Sequence, residues 1–221
     1  MREEVLLKAR FEPQGTAAKI LDSAELVFSE HGYAGTSTRE VARRAGVPFG
    51  ALHYHWGSKK QLWDAVFRRL ADRTRDTIIG NFTPGATLGA LLDNLVDAFL
   101  DFFAQHRTVA RLCHRASLES PELHREIHSM FTELEALGRG ILRELVPGLE
   151  IDAQAAIFVL TNAFIASVVD ESSQEAFLGG SIFTSRKARE RLRAELRRLS
   201  RAVFEVGEGG VRSAPPGQEE S

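Results

Sequence analysis

Apolar positions recur at helical spacing along almost the whole chain, and no segment alternates apolar and polar residues long enough to read as a strand. From Thr16, the residues Ile20, Ala24, Val27 and Phe28, with Leu21 beside them, line one face of an amphipathic helix that His31 and Gly32 close. A second, short helix runs from about Thr38 to Ala45; Ser37 and Glu40 have the Ser-x-x-Glu spacing of a capping box, and Gly46 stops it. Val47 and Pro48 open a third short helix, with proline in the first turn where its missing N–H costs nothing, and the helix ends near Tyr54. Ser58 caps a long fourth helix that passes through Leu62, Val66 and Leu70 to about Ile79.

The stretch Gly80 to Gly85 carries turn residues and divides the pattern. Beyond it, Leu91, Leu95, Phe99 and Phe103 follow at spacings of four, widened by Leu92, Val96 and Leu100. Further helices are predicted at roughly 107–118, 121–146, 152–173 and 186–206, with no sheet. The expected fold is all-α. A flexible arm over 1–15 precedes a three-helix unit over 16–57, a connecting helix over 58–80 and a larger helical domain over 81–206, and a disordered tail covers 207–221.

With 221 residues, 43% of them hydrophobic and 26% charged, the chain has the composition of an ordinary soluble protein with a sizeable core. The longest apolar run, Ala153 to Val169, is interrupted by Gln154, Thr161, Asn162 and Ser167 and falls short of a bilayer span, so it reads as a buried helix. No signal peptide is visible at the N-terminus, and a cytoplasmic protein with no membrane partner is expected. Cys113 is the sole cysteine and makes no internal disulfide. The net charge of −2 hides a division: residues 1–70 carry 11 Lys and Arg against 8 Asp and Glu, and the rest carry 17 against 22. An excess of three positive charges at one end suits a local phosphate-binding surface, although ordinary scatter gives the same count.

Two short helices joined by a tight turn at Gly46 match a helix-turn-helix, whose second helix enters the major groove of DNA; a generic helical hairpin is the competing account. Surface chemistry separates the two. The third helix has Val47 and Leu52 to bury, yet it offers Phe49, Gly50, His53, Tyr54 and His55 outward, with Lys59 close behind.

Read whole, Thr16 to Phe67 resembles the DNA-binding domain of the tetracycline-repressor (TetR) family. The resemblance rests on ordered motifs: Phe28, His31-Gly32-Tyr33, Thr36-Ser37, Val41-Ala42, Ala45-Gly46-Val47, Gly50, Leu52, Tyr54-His55-Trp56 and Lys59. It covers about a quarter of the chain. In place of the family's usual tyrosine and phenylalanine stand His53 and Trp56. Trp56 still fills an apolar slot, whereas the imidazole of His53 is shorter than a phenol and can donate to a phosphate or read a base edge. The resemblance implies Ser37, Tyr54, His55 and Lys59 as phosphate contacts, with Thr38, Pro48, Phe49 and Gly50 nearest the base edges. Arg39, Arg43 and Arg44 are placed to add diffuse attraction, with solvated charge the competing role for at least one of them.

The same resemblance implies a C-terminal domain that dimerises and binds a small effector, and hence a homodimeric regulator, a repressor released from palindromic operator DNA. The alternative is a constitutive DNA-binding or protein-recruiting adaptor without a ligand. Gln154 to Val169 is apolar all round and needs partners on more than one side, while Leu192, Leu196, Leu199 and Val203 form a narrow seam. With Phe164 and Val168 these positions are the expected dimer interface. A largely apolar effector pocket is expected among Phe99, Phe103, Met130, Phe131, Leu134, Phe158 and Asn162. His106, His114, His124 and His128, the last pair spaced by four, do not make a convincing zinc site beside Glu122, Arg125 and Glu126, so no metal is assigned. No cofactor is expected, and no catalytic constellation points to an enzyme.

Overall fold

The computed structural model describes residues 13–83, 85–118, 138–144 and 153–204, single positions at 122, 125, 129, 132 and 136, and the pairs 206–207 and 210–211. Within them run the helices α1 (Gly15–Gly35), α2 (Thr38–Ala45), α3 (Phe49–Trp56), α4 (Lys59–Gly80), α5 (Leu88–Gln105), α6 (Arg107–Ser117), α7 (Ala153–Val169), α8 (Glu171–Leu178) and α9 (Arg186–Val203). Residues 138–144 are helical as well. The predicted all-α class holds, with one small addition: β1 (Val206–Gly207) pairs antiparallel with β2 (Gly210–Val211). Two residues per strand are too few for alternation to betray them. The rest of the predicted disordered tail, and the arm before residue 13, lie outside the described residues.

The apolar face of α1 is spent completely. Ile20, Leu21, Ala24, Val27 and Phe28 are fully buried against Val41 and Ala42 of α2, Leu52 of α3, and Leu62, Trp63, Val66 and Phe67 of α4. Trp63 is the centre of this packing: Phe28 meets it edge-on at 4.9 Å, Tyr33 at 5.3 Å and Phe67 at 4.8 Å between ring centroids. α1 is interrupted where the sequence stops it, at Gly32 with φ +68°, and Thr36 Oγ1 donates to the Gly32 carbonyl at 2.6 Å.

Caps differ from expectation in two places. Ser58 and Gln61 form the full reciprocal capping box at the start of α4. Ser37 makes no side-chain cap, and the Glu40 carboxylate is held by Arg43 and Arg44 rather than turned back to the helix start, so neither half of the capping box forms. Pro48 occupies the N-cap itself, one position before the first turn.

The predicted helix over 152–173 is two helices. α7 stops at Val169, and α8 leaves it at 87° after Asp170, whose carboxylate accepts from the Ser173 N–H at 3.0 Å. Buried Gln174 makes the corner tenable: Nε2 donates to the Ser167 and Val168 carbonyls that the break leaves open, and Oε1 accepts from the Ile182 N–H. No single helix among the described residues is long and apolar enough to cross a membrane.

α5 and α9 run antiparallel. Their inner faces contribute Val96, Leu100, Phe103, Ala188, Leu192 and Leu196 to the core. Along the rim, Arg201 grips Asp93 in a bidentate pair at 3.0 and 2.6 Å, Arg197 grips Asp97, and Arg193 reaches Asp97 and Asp101. The Arg201 guanidinium holds the Asp93 carboxyl below the usual carboxylate range. Both rows repeat every four residues, so a slip of one, two or three residues breaks all three pairs together and a slip of a full turn leaves one acid and one arginine unpaired.

The Gly80 to Gly85 division is a turn in the chain and not a gap in the core. α6 packs along α1, and one continuous apolar cluster runs from Ile20 to Leu196. Arg69 of α4 is buried against α1 near this junction, with its side chain 4% exposed. It donates to Asp22 at 2.6 Å, to the Leu21 carbonyl at 3.3 Å and to Glu25 at 2.5 Å. Glu25 also accepts from Arg73 of α4 and from Thr108 of α6. Removing one partner of a buried pair strands the other, so Arg69→Met is expected to lower stability by about 3 kcal/mol in urea unfolding. A loss below about 1 kcal/mol would mean that Arg73 alone suffices for Glu25.

Candidate nucleic-acid interface

The turn between α2 and α3 depends on Gly46, which sits in the left-handed region at φ +66°, ψ +33°. There a Cβ is strained, and the glycine lets the Val47 N–H return to the Ala42 carbonyl at 3.1 Å. α2 is anchored by Val41 and Ala42, and α3 by Leu52 with help from half-buried Val47 and Trp56. Phe49, Gly50, His53, Tyr54 and His55 all face outward, with Tyr54 85% exposed. Pro48 is exposed at the entrance to α3.

These outward side chains are organised. The Arg39 guanidinium lies 5.5 Å from the Phe49 ring centroid, and the His53 ring meets Phe49 edge-on at 4.6 Å. Phe49 thereby ties the outer face of α2 to that of α3. His53 Nδ1 is 2.7 Å from the Gly57 carbonyl, and His55 stacks edge-on against Tyr54 at 5.1 Å. Gly50 opens onto empty space: a Cβ built there meets no atom within 4 Å. Glycine inside a helix costs about 1 kcal/mol relative to alanine, and nothing in the fold requires it here.

Around α3, Ser37 is exposed at the start of α2 with its hydroxyl uncommitted to capping, and Thr38 is half-buried beside it. Lys59 is docked, not extended: Nζ donates to the Ala34 carbonyl at 3.2 Å and lies 4.7 Å from the Tyr33 ring centroid. Arg43 and Arg44 are matched by acid. Their hydrogen bonds hold the Glu40 carboxyl down at about 2, and Arg44 also meets Glu30 at 2.7 Å. Among the described residues, Arg39 alone of the three α2 arginines has no carboxylate partner.

Of the residues expected to line an effector pocket, the four described ones divide between two places. Phe99 and Phe103 pack on Phe164 at 5.9 and 5.7 Å between α5 and α7. Phe158, 61% exposed, and Asn162, whose amide donates to the Phe158 carbonyl, lie on the outer face of α7. Met130, Phe131 and Leu134 lie outside the described residues, as do His124 and His128. Among the described residues no three His, Cys, Asp or Glu side chains gather as metal ligands, and His106 and His114 are exposed. The enclosed Cys113 thiol is pushed up to about 12 by burial and by the Glu25 charge, which keeps it protonated and unreactive near neutrality.

The expected dimer seam is also redistributed. Val168, Leu192 and Leu196 are buried within the chain's own core, Phe164 packs on Phe99 and Phe103, and Val203 packs on a second cluster around Leu88 and Phe204. Of the six positions, Leu199 remains on the surface at 39% exposure. It is α7 that presents apolar surface, at Ala155, Phe158, Val159 and Ala166. Arg69 was missed by sequence reasoning; its signal was an arginine one step from the Leu62, Val66, Leu70 stripe, opposite carboxylates three apart at Asp22 and Glu25.

Two family descriptions match the chain. Residues 20–66 match the model for bacterial regulatory proteins of the tetR family, and residues 87–203, more than half the chain, match the tetracyclin repressor-like C-terminal domain. Among curated proteins, it is 29% identical over 133 residues to the HTH-type transcriptional repressor KstR2 of Rhodococcus jostii, covering 58% of this chain and 64% of that one. It is 30% identical over 174 residues to the A-factor receptor protein of Streptomyces griseus, covering 76% and 59%. The chain thus spans less than two thirds of the length of these relatives. Among solved structures, the fatty acid degradation regulator FadR of Bacillus halodurans has the same fold, with a TM-score of 0.68 at 19% identity over 86% of this chain and 96% of that one. FadR from Bacillus subtilis, solved in complex with stearoyl-CoA, follows with a TM-score of 0.60 at 18% identity over 85% and 95%. The helix-turn-helix built on Gly46 and the helical domain packed behind it therefore belong to a member of the tetR family of transcriptional regulators.

Proposed function

We propose that the protein is a homodimeric repressor that binds a palindromic operator through α3 and leaves it when a small, largely apolar effector enters the C-terminal domain, acting in the cytoplasm. The observation that carries the DNA-reading role is α3 itself. An eight-residue helix with Leu52 as its fully buried side chain offers an apolar ring, an open glycine and two imidazoles outward. Phe49 and Pro48 suit a thymine methyl, and Gly50 allows close approach of the groove. Ser37, Tyr54, His55 and Lys59 supply donors at its margins for phosphates, and Arg39 adds the least neutralised charge.

The outer faces of α7 and α9 support self-association. Phe158, Val159 and Leu199 are exposed on neighbouring helices, and a four-helix contact between two copies buries them. Phe99, Phe103 and Phe164 support an effector site between α5 and α7, with Phe158 and Asn162 left to the dimer face. The lever is α4, whose start adjoins α3 and whose Arg69 and Arg73 meet Glu25, which also bonds Thr108 of α6. A shift of α6 is thus felt by α1 and α4 together, and it changes the separation of the two recognition helices.

Replacement of Lys59 by Ala is expected to weaken binding to all duplexes and to lower the salt slope by about one unit, while Phe49→Ala alters which sequences are preferred. Titrations of selected and random duplexes at several salt concentrations check this; equal losses with unchanged preference in both variants reject the division. Phe158→Glu with Leu199→Glu is expected to yield folded monomers in sedimentation, whereas Leu196→Glu unfolds the chain. Dimers that persist in the double variant move the interface elsewhere. Spin labels at Arg39 in the two subunits should lie about 34 Å apart on operator, one turn of B-DNA, and shift when an effector lowers affinity. An unchanged distance distribution would leave altered dynamics as the cause of release.

A further inference from the structure

We propose that His53 reads one base pair of each half-site as a hydrogen-bond acceptor, through Nε2 of its neutral ring, and so selects an exocyclic amino group of adenine or cytosine in the major groove. The proposal rests on α3 being the groove-facing helix. Its basis is the bond on the other side of the ring. Nδ1 lies 2.7 Å from the Gly57 carbonyl oxygen, which can only accept, so Nδ1 carries the hydrogen. In a neutral imidazole the remaining nitrogen is then a bare acceptor.

The ring itself is held in place by its surroundings. The Gly57 N–H donates back to the His53 carbonyl at 2.9 Å, closing a ring between the same two residues at the end of α3. Phe49, one turn earlier on the same face, packs against the imidazole at 4.6 Å and 90°. Arg39 lies on Phe49 in turn, so the three side chains form a file across the outer surface. His53 is exposed, and among the described residues Nε2 has no partner.

An acceptor so placed has defined selectivity. In the major groove adenine N6 and cytosine N4 donate, while guanine O6 and thymine O4 accept and repel a lone pair. The neutral ring refuses a phosphate for the same reason.

The test uses the full chain and a pool of randomised duplexes, selected in parallel with the wild type and with His53→Ala. The expected result is an adenine or cytosine at one symmetric position, enriched by the wild type and lost from the variant pool. Base analogues then remove the amino group alone, purine for adenine or 2-pyrimidinone for cytosine. The wild type should weaken about tenfold at that position and the variant not at all. Because the analogues act on the wild-type protein, the result does not depend on how the variant folds. Identical enriched sequences in both pools would overturn the proposal. So would an equal loss by His53→Ala on selected and random duplexes, which marks a phosphate or structural role. Sensitivity to 7-deazapurines without sensitivity to amino deletion would also overturn it, since the ring would then be donating. If the wild type enriches no sequence, the DNA-reading role of α3 fails with it, which is a different result from enrichment indifferent to His53.

Discussion

One buried guanidinium conditions much of this structure. Arg69 sits 4% exposed where α1, α4 and α6 meet, and its cost of desolvation is offset by two carboxylates and a carbonyl, all from α1. Glu25 extends the arrangement to Arg73 and Thr108, so α1, α4 and α6 of the C-terminal domain share one polar joint inside an apolar cluster. Apolar contacts alone slide at modest cost, but a network of directed bonds has discrete arrangements, which is the property a two-state coupling needs.

From that joint, rigidity passes outward to the DNA-facing surface. Trp63 packs Phe28, Tyr33 and Phe67, and Lys59 lies over the same Tyr33 while bonding the end of α1. α3 contributes little burial of its own, so its position is set by Leu52, by the Gly46 turn and by the capping box that starts α4. Such an economy leaves nearly all of its surface for a partner. The arginines of α2 show the complementary tuning: Glu40 and Glu30 neutralise Arg43 and Arg44, which restrains sequence-blind attraction and gives weight to the uncharged groups on α3.

In the C-terminal domain, ionic and apolar contacts divide the labour. The Asp93, Asp97, Asp101 row and the Arg193, Arg197, Arg201 row fix the register of α5 on α9, and the seam inside them is consumed within the chain. α7 then presents exposed apolar surface, as Phe177 of α8 does, because its sequence is apolar all round while its own chain covers mainly the side bearing Ala156 and Val168.

The sequence by itself determined the helical class, the Gly46 turn, the start of α4 at Ser58 and the outward set on α3, because these follow from local rules: period 3.6, left-handed glycine, side-chain caps. The helix break at Asp170 was legible in principle, as an acidic cap in a polar stretch, but the long apolar run before it outweighed that signal. Tertiary structure decided what periodicity cannot express. A leucine seam such as Leu192 to Leu199 has the same spacing whether it faces its own core or a second copy, and Glu40 has the same capping spacing whether it turns to Ser37 or to Arg43. Those outcomes depend on which side chains come close in space, and so do the burial of Arg69 and the separation of Phe158 from Phe99. Closeness of that kind is set by helix crossings between segments tens of residues apart, which no local pattern records.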